Sequence, residues 1–333
     1  MKGRVLITGA DGFIGSHLVE AAVRAGYSVR ALAWYNASGS IGWLGSLSND
    51  ILGEVDVQLG DIRDPDLVTE LCSDVEGVFH LAALIGIPFS YQAPESYIQT
   101  NVLGTLNLLR GARAAGVEKF VQTSTSEVYG MADRFPIDER AEMRAQSPYA
   151  ASKVASDQLA LSFYSSFELP VAVMRPFNTF GPRQSPRAVI PAVIGQMLSG
   201  ATRIRMGNLD VRREFCYVAD TVSGFLAVYQ STQCVGQVVN IGSGFEISVG
   251  EIPKLIGSVL GIDVEIELDP QRVRPARSEI GRLLSDTGKA MRLLNWRASN
   301  VGVEGFSRGL AETIDWMKSA ERAGWHNPRA YAI

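Results

Sequence analysis

Cysteine is scarce. The 333 residues contain three, Cys72, Cys216 and Cys234, widely separated and odd in number. No CxxC pair occurs, so neither a disulfide framework nor a zinc site is supported. No metal is expected, and the three read as buried or inert thiols of a reducing cytosol. Long apolar runs are also missing. Nothing approaches the roughly 18 residues a membrane helix needs. Met1–Ile7 holds one strand's worth of apolar residues before the glycines begin, too few for a signal-peptide core. The expectation is a cytoplasmic protein with no membrane partner. Blocks of lysine and arginine are absent and the formal net charge is −4, which argues against nucleic acid as a partner. A small anionic ligand stays open, because a few placed arginines suffice to hold one. There is no internal repeat and no low-complexity linker. What is present is 46% hydrophobic and 20% charged, enough apolar material for one large domain or two smaller ones.

The apolar residues alternate between two periods. Short apolar runs at Val5–Thr8, Ser28–Ala33, Val55–Leu59, Gly77–Ala82, Lys119–Thr123 and Val171–Arg175 read as strands. Between them lie helical stretches: one after the first glycines to about Ala25, a long one over Pro94–Ala115 with Ile98, Val102, Leu106 and Leu109 at helical spacing, and another over Tyr149–Phe167. Strands alternating with helices predict an α/β fold, a doubly wound parallel sheet covered on both faces. After Pro176 the loops carry more Pro, Gly and Arg and the strands shorten, which points to a smaller C-terminal domain for substrate. The expected division is 1–176, with about 213–238 returning to it through a helix near Tyr217–Tyr229, against 177–212 and 239–333.

The first turn carries chemistry. Thr8-Gly9-Ala10-Asp11-Gly12-Phe13-Ile14-Gly15 follows the first strand and opens the first helix. Glycines there permit a tight turn, let backbone approach a pyrophosphate, and bring helix close to sheet. The helix N-terminus then offers unpaired N–H groups and a favourable dipole to the phosphates. Gly9, Asp11, Gly12, Phe13, Ile14 and Gly15 are therefore candidate dinucleotide contacts. An acid normally ends the second strand and binds the ribose of NAD. Here Ala33 takes that place, followed by Trp34, Tyr35 and Asn36. The missing charge would no longer repel a 2′-phosphate, so the cofactor is NADP or NAD with a lean to NADP; Arg30 is the nearest cation in sequence. Trp34 and Asn36 join the candidate set, with Asp61 and Ile62 for the adenine and Leu81, Ala82 and Ala83 beside the pyrophosphate and nicotinamide ribose. His80 reads first as a core histidine.

A second constellation is Tyr149-Ala150-Ala151-Ser152-Lys153, with Tyr and Lys four apart and hence on one helix face. A tyrosine of pKa near 10 is a poor base at neutral pH, but a neighbouring ammonium and a nicotinamide cation can lower it. Upstream, Thr123-Ser124-Thr125-Ser126-Glu127-Val128-Tyr129-Gly130 follows the fifth strand, at the carboxyl end where a doubly wound sheet binds ligands.

The segments TGADGFIGSHL, HLAA, TSTSEVYG, YAASK, RPFNTFGPRQ and RREFCYV occur in this order over nearly the whole chain. In that set the chain resembles the extended short-chain dehydrogenases/reductases, specifically their NDP-sugar epimerases, dehydratases and decarboxylases. The resemblance implies a Rossmann fold, a tightly bound and internally recycled cofactor, and Tyr149 as acid/base at the sugar 4-hydroxyl. It implies Thr125 as that oxygen's hydrogen-bond partner, Lys153 as the helper of the tyrosine, and Thr123 as a further cofactor contact. Asn178 and Arg213 would hold the nucleotide diphosphate, with Arg274 a further candidate and Arg187 among the substrate contacts. A homodimer built on the two long helices is implied as well.

The family's shared first step oxidises sugar C4 to a ketone, which acidifies the C5 proton. A 4,6-dehydratase then needs a base at C5, and Glu127 stands where the family's dehydratases carry it. Ser126 departs from the glucose-type 4,6-dehydratases, which place an Asp there to protonate the leaving hydroxyl; Thr-Ser-Glu is similar to GDP-mannose 4,6-dehydratases and to UDP-glucuronate decarboxylases. Two loops, Val29–Ser38 running on to Leu44, and Ala82–Tyr91, are similar to the NDP-N-acetylglucosamine 4,6-dehydratases of the legionaminic acid pathway. Leu84, Ile85 and Ile87 would suit an acetamido methyl better than a carboxylate. The expected activity is a 4,6-dehydratase on an NDP-hexosamine or hexose, with a 4-epimerase or a UDP-glucuronate decarboxylase as alternatives.

Overall fold

The computed structural model describes residues 2–272, 275 and 277–322. Its centre is a seven-stranded sheet. In chain order the first six strands are β1 (Lys2–Thr8), β2 (Tyr27–Trp34), β3 (Val55–Gly60), β4 (Gly77–His80), β5 (Lys119–Thr123) and β6 (Val171–Pro176). The spatial order is Val238–Ile241, β6, β5, β4, β1, β2, β3, and every pairing is parallel. The strand order reverses between β1 and β4, so a crevice opens at their carboxyl ends, the place where open α/β sheets take ligands. Val5, Leu6, Ile7, Val78 and Phe79 are wholly buried, because helices cover both faces and leave no strand side to water. The helices Phe13–Arg24 and Val218–Gln230 pack together on one face. Pro65–Cys72, Gly104–Ala115 and Pro148–Phe167 cover the other.

Three expectations need correction. The long helix over Pro94–Ala115 is interrupted: Pro94–Tyr97 is α-helical, Ile98–Leu103 forms a π turn, and Gly104–Ala115 resumes the α-helix. The wider turn frees the Asn101 carbonyl to accept Oγ1 of Thr105 at 2.6 Å and Oγ of Ser156 at 2.6 Å. Such turns recur at functional sites. The fourth strand stops at His80 rather than Ala82: the Leu81 N–H divides between the carbonyl and Oγ1 of Thr8, the last residue of β1, and the Ala82 N–H donates to Thr8 Oγ1. The segment returning to the main sheet runs from Val218 to Ile241, not from about 213 to 238. Arg212–Glu214 pairs with Glu246–Ser248 and Arg282–Leu283 in a separate three-stranded sheet, and Val238–Ile241 lies against β6 from Val173 to Pro176.

Two further two-stranded sheets, Thr179–Phe180 with Cys216–Tyr217 and Arg203–Met206 with Glu265–Leu268, carry the irregular later part of the chain. Cys72, Cys216 and Cys234 are free and buried. Among the described residues no group of His, Cys, Asp or Glu could hold a metal ion, and no helix is long and apolar enough to cross a membrane.

Candidate active site

The turn between β1 and the first helix is built to leave backbone bare. Gly9 has φ +66°, and a Cβ there would lie 2.8 Å from the Ala82 nitrogen; a Cβ on Gly15 would lie 2.0 Å from the Gly9 carbonyl oxygen. Any side chain at either position would collide with that backbone, forcing the turn away from the segment after β4 or the helix away from the turn. Gly12 caps the helix without a side-chain hydrogen bond, so the first N–H groups, from Phe13 and Ile14 onward, are left uncapped by any side chain. Asp11 has a structural share in this corner. Its carbonyl accepts the Trp43 N–H at 2.9 Å. Its carboxyl, pushed above the usual carboxylate range by burial, is hydrogen-bonded by the Trp34 backbone.

At the end of β2, Ala33 is buried while Trp34 and Tyr35 are exposed. The Arg63 guanidinium lies 5.4 Å from the Trp34 ring centroid and pairs with Asp61 at 2.5 Å. Arg30 is committed elsewhere, to Asp56 at 3.0 Å and to the carbonyls of Leu71 and Ser73. The cation beside Trp34 at the end of β2 is thus Arg63, which the sequence pattern did not single out. Asn36 does not reach outward: its amide donates to the Trp34 and Ser40 carbonyls and accepts from Ser38 and the Ser40 N–H, closing its own loop. Ile62 is buried, and its side chain fills the space a Cβ on Gly104 would need. His80 is a core residue. It sits between Thr8 Oγ1 at 2.8 Å and Thr105 Oγ1 at 2.9 Å, and burial pushes it down to about 3, hence neutral.

Tyr149 and Lys153 stand at the start of the helix Pro148–Phe167, whose N-terminus is fixed by Ser147 Oγ accepting the Ala150 N–H at 3.1 Å. Thr125 hydrogen-bonds the Tyr149 phenol and caps the short turn Ser126–Tyr129 by accepting the Glu127 N–H at 3.3 Å. That turn places the Glu127 charge close enough to act on Tyr149. The phenol is raised well above its ordinary value, first by burial, against the Thr125 hydrogen bond that lowers it. Burial pushes Lys153 down to about 8. Tyr97 closes the other side, its ring edge-on to Tyr149 at 6.2 Å. Ser126 is buried, and Thr123 Oγ1 is buried without a hydrogen-bond partner among the described residues.

A residue missed in the sequence holds this region together. Asn101 accepts the Leu84 N–H at 2.8 Å, donates to the Leu84 carbonyl at 2.9 Å and donates to Ser152 Oγ at 2.9 Å. It thereby ties the loop carrying Ile85, which is exposed, to the helix of Tyr149. A polar Asn inside a helical pattern, next to the apolar Val102 and Leu103, was the available signal. Of the expected diphosphate contacts, Asn178 donates to the Glu214 carbonyl at 3.2 Å. Arg213 is buried and paired with Glu279 at 2.9 Å, so a phosphate would have to share or displace that carboxylate. Arg187 is exposed, and its charge reaches Tyr97. Arg274 lies outside the described residues.

Residues 6–308 match the family model described as GDP-mannose 4,6 dehydratase. The chain belongs to this family, among the extended short-chain dehydrogenases/reductases. It is 34% identical to a dTDP-glucose 4,6-dehydratase of Streptomyces antibioticus, covering 96% of this chain and 94% of that one. It is 32% identical to a UDP-glucose 4-epimerase of Mycolicibacterium smegmatis, covering 95% and 99%. Among solved structures it superposes on a double mutant of DesIV, the dTDP-glucose 4,6-dehydratase of Streptomyces venezuelae with NAD bound. The TM-score is 0.85 at 31% identity, over 98% of this chain and 99% of that one.

Proposed function

We propose that the protein is an NDP-sugar 4,6-dehydratase working through a 4-keto sugar, with an NDP-hexosamine or hexose as substrate. The observation that carries this is the Glu127 carboxylate held beside Tyr149 by a turn that Thr125 caps. It is an enzyme of a family whose members include NAD-dependent dehydratases and epimerases. The tight turn that Gly9 and Gly15 permit, with the helix N-terminus behind Gly12 uncapped by any side chain, fits a dinucleotide pyrophosphate. A bound nicotinamide would take hydride from C4 and return it, so no external oxidant is consumed. Tyr149 removes the proton of the C4 hydroxyl, with Thr125 holding the same oxygen. Glu127 removes the C5 proton that the ketone has acidified, the C6 hydroxyl leaves as water with a proton supplied from the same carboxyl, and the resulting 4-keto-5,6-ene would take the hydride back at C6 and a solvent proton at C5. Ser126 is too weak an acid to serve in its place.

Ala33, with no charge to repel a 2′-phosphate, and Arg63 beside Trp34 favour NADP over NAD. Leu84 and the exposed Ile85 offer an apolar wall for an acetamido group, as in the legionaminic-pathway hexosamine dehydratases. Ile98, Leu103, Tyr164 and Phe167, exposed on the helical stretches 98–115 and 148–167, support a homodimer.

Incubation with UDP-, GDP- and dTDP-hexoses and N-acetylhexosamines, followed by product mass, tests the reading. Loss of one water without net cofactor turnover is expected. An unchanged mass with a new sugar signal would mean 4-epimerisation, and loss of carbon dioxide from a glucuronate would mean decarboxylation; either would replace the proposal.

A further inference from the structure

Tyr149 and Lys153 are two rungs of a ladder on the helix Pro148–Phe167, and Asp157, four residues further, is the third. The three therefore lie along one face. Asp157 is completely buried. Three donor atoms converge on one of its oxygens: Ser124 Oγ at 2.6 Å, Arg175 Nη2 at 3.0 Å and Arg175 Nε at 3.2 Å. The other oxygen, Oδ1, is buried with no hydrogen-bond partner among the described residues. A carboxylate oxygen left bare inside a protein is costly and calls for a cause. Arg175 is also bound to the Tyr129 hydroxyl at 3.1 Å and the Met143 sulfur at 3.2 Å, so its fork is fixed on the Oδ2 side. One helical turn away, Lys153 is buried as well. Its ammonium needs a compensating charge; Asp157 lies on the same helix face four residues on, and its carboxylate, raised by burial but drawn back toward the charged form by Arg175 and Ser124, favours the ammonium.

We propose that Asp157 is a positioning residue for the reaction: clamped at one oxygen by Arg175 and Ser124, its carboxylate is the buried counter-charge that keeps Lys153 protonated and in place one turn below Tyr149. The proposal rests on the Tyr149–Lys153 pair as the reacting pair. The other groups facing it do not supply that charge. His80, on β4, is neutral; Arg175, on β6, is a cation; Tyr97, on the helix Pro94–Tyr97, is raised by burial and stays a neutral phenol. Glu127, on the turn after β5, acts on Tyr149.

Burial already holds Lys153 down to about 8, and loss of the carboxylate lowers it further. An ammonium that must stay charged then fails at lower pH. In Asp157→Asn, the alkaline limb of turnover should move down by about one pH unit, a loss of about ten-fold on the wild-type alkaline shoulder. KM for the nucleotide sugar should change little. The pH at which NAD(P) affinity weakens, measured calorimetrically without any sugar, should move down with it, because Lys153 can hydrogen-bond the cofactor ribose. Asp157→Glu should restore both limbs to within a few tenths of a unit. A folded Asp157→Asn with both limbs unmoved, or with the same fractional loss at every pH, overturns the proposal. If Asp157→Asn does not fold, Ser124→Ala, which removes one of the donors that clamp Oδ2, replaces it: the cofactor limb must move relative to wild type, and an unmoved limb overturns the proposal equally. The cofactor titration uses no sugar, so a failed 4,6-dehydratase reading would leave this test intact.

Discussion

Glu127→Gln is expected to stop the loss of water, lowering formation of the dehydrated product by about two to four orders of magnitude, the range a positioned general base contributes. The amide keeps the size of the carboxyl and the Glu127 N–H still donates to Thr125, so the turn Ser126–Tyr129 stays in place. C4 oxidation, which Tyr149 serves, should persist, and a 4-keto sugar of otherwise intact composition should be trapped by borodeuteride reduction, which returns the substrate's composition with one deuterium at C4 and so shows in the mass spectrum one unit heavier. Removing the Glu127 charge also takes away one of the influences that raise the Tyr149 phenol, so the acid limb of the oxidation step should shift to lower pH. Dehydration at the native rate in this variant would mean that the base is another group.

Tyr149→Phe is expected to lower turnover by about two to four orders of magnitude through loss of proton transfer at the C4 hydroxyl, while cofactor binding is kept. The fold should survive. The phenol's hydrogen-bond partner, Thr125, retains the Glu127 N–H, so the cost in stability should be about 1 kcal/mol. Thermal unfolding alongside steady-state kinetics checks both statements. Burial holds the phenol high and Thr125 draws it down. The ionised form is lost as pH falls through the phenol's value, so a variant without the Thr125 hydroxyl should lose activity at higher pH than the wild type does. A Tyr149→Phe enzyme with near-native turnover would remove the tyrosine from the mechanism.

The parts of the fold and of the site legible in the sequence are those written locally. A strand buried on both faces shows as an apolar run, which is why Lys119–Thr123 is found as expected. A four-residue spacing on a helix fixes Tyr149 and Lys153 on one face without any knowledge of what packs there. The glycines before Phe13 announce a close approach whichever strand supplies the neighbour. The rest depends on partners distant in the chain. Asn101 opens a π turn because Leu84, Ser152 and Ser156 meet it from other elements, and no helical periodicity encodes that. Arg213 is paired because Glu279 comes from a different strand connection. Arg63 replaces Arg30 as the cation at the end of β2 because Arg30 is drawn to Asp56 and to two carbonyls. Asn36 closes its own loop, as short polar side chains do when a turn offers them backbone partners.

Carbon and hydrogen bookkeeping at C5 and C6 bears most directly on the central claim. In heavy water, the purified protein supplied with its nucleotide sugar should release a product one water lighter with deuterium incorporated through proton abstraction at C5, and Glu127→Gln should abolish that incorporation. A wild-type product of unchanged mass with no deuterium at C5 would contradict the assignment of Glu127 as base and of the protein as a 4,6-dehydratase.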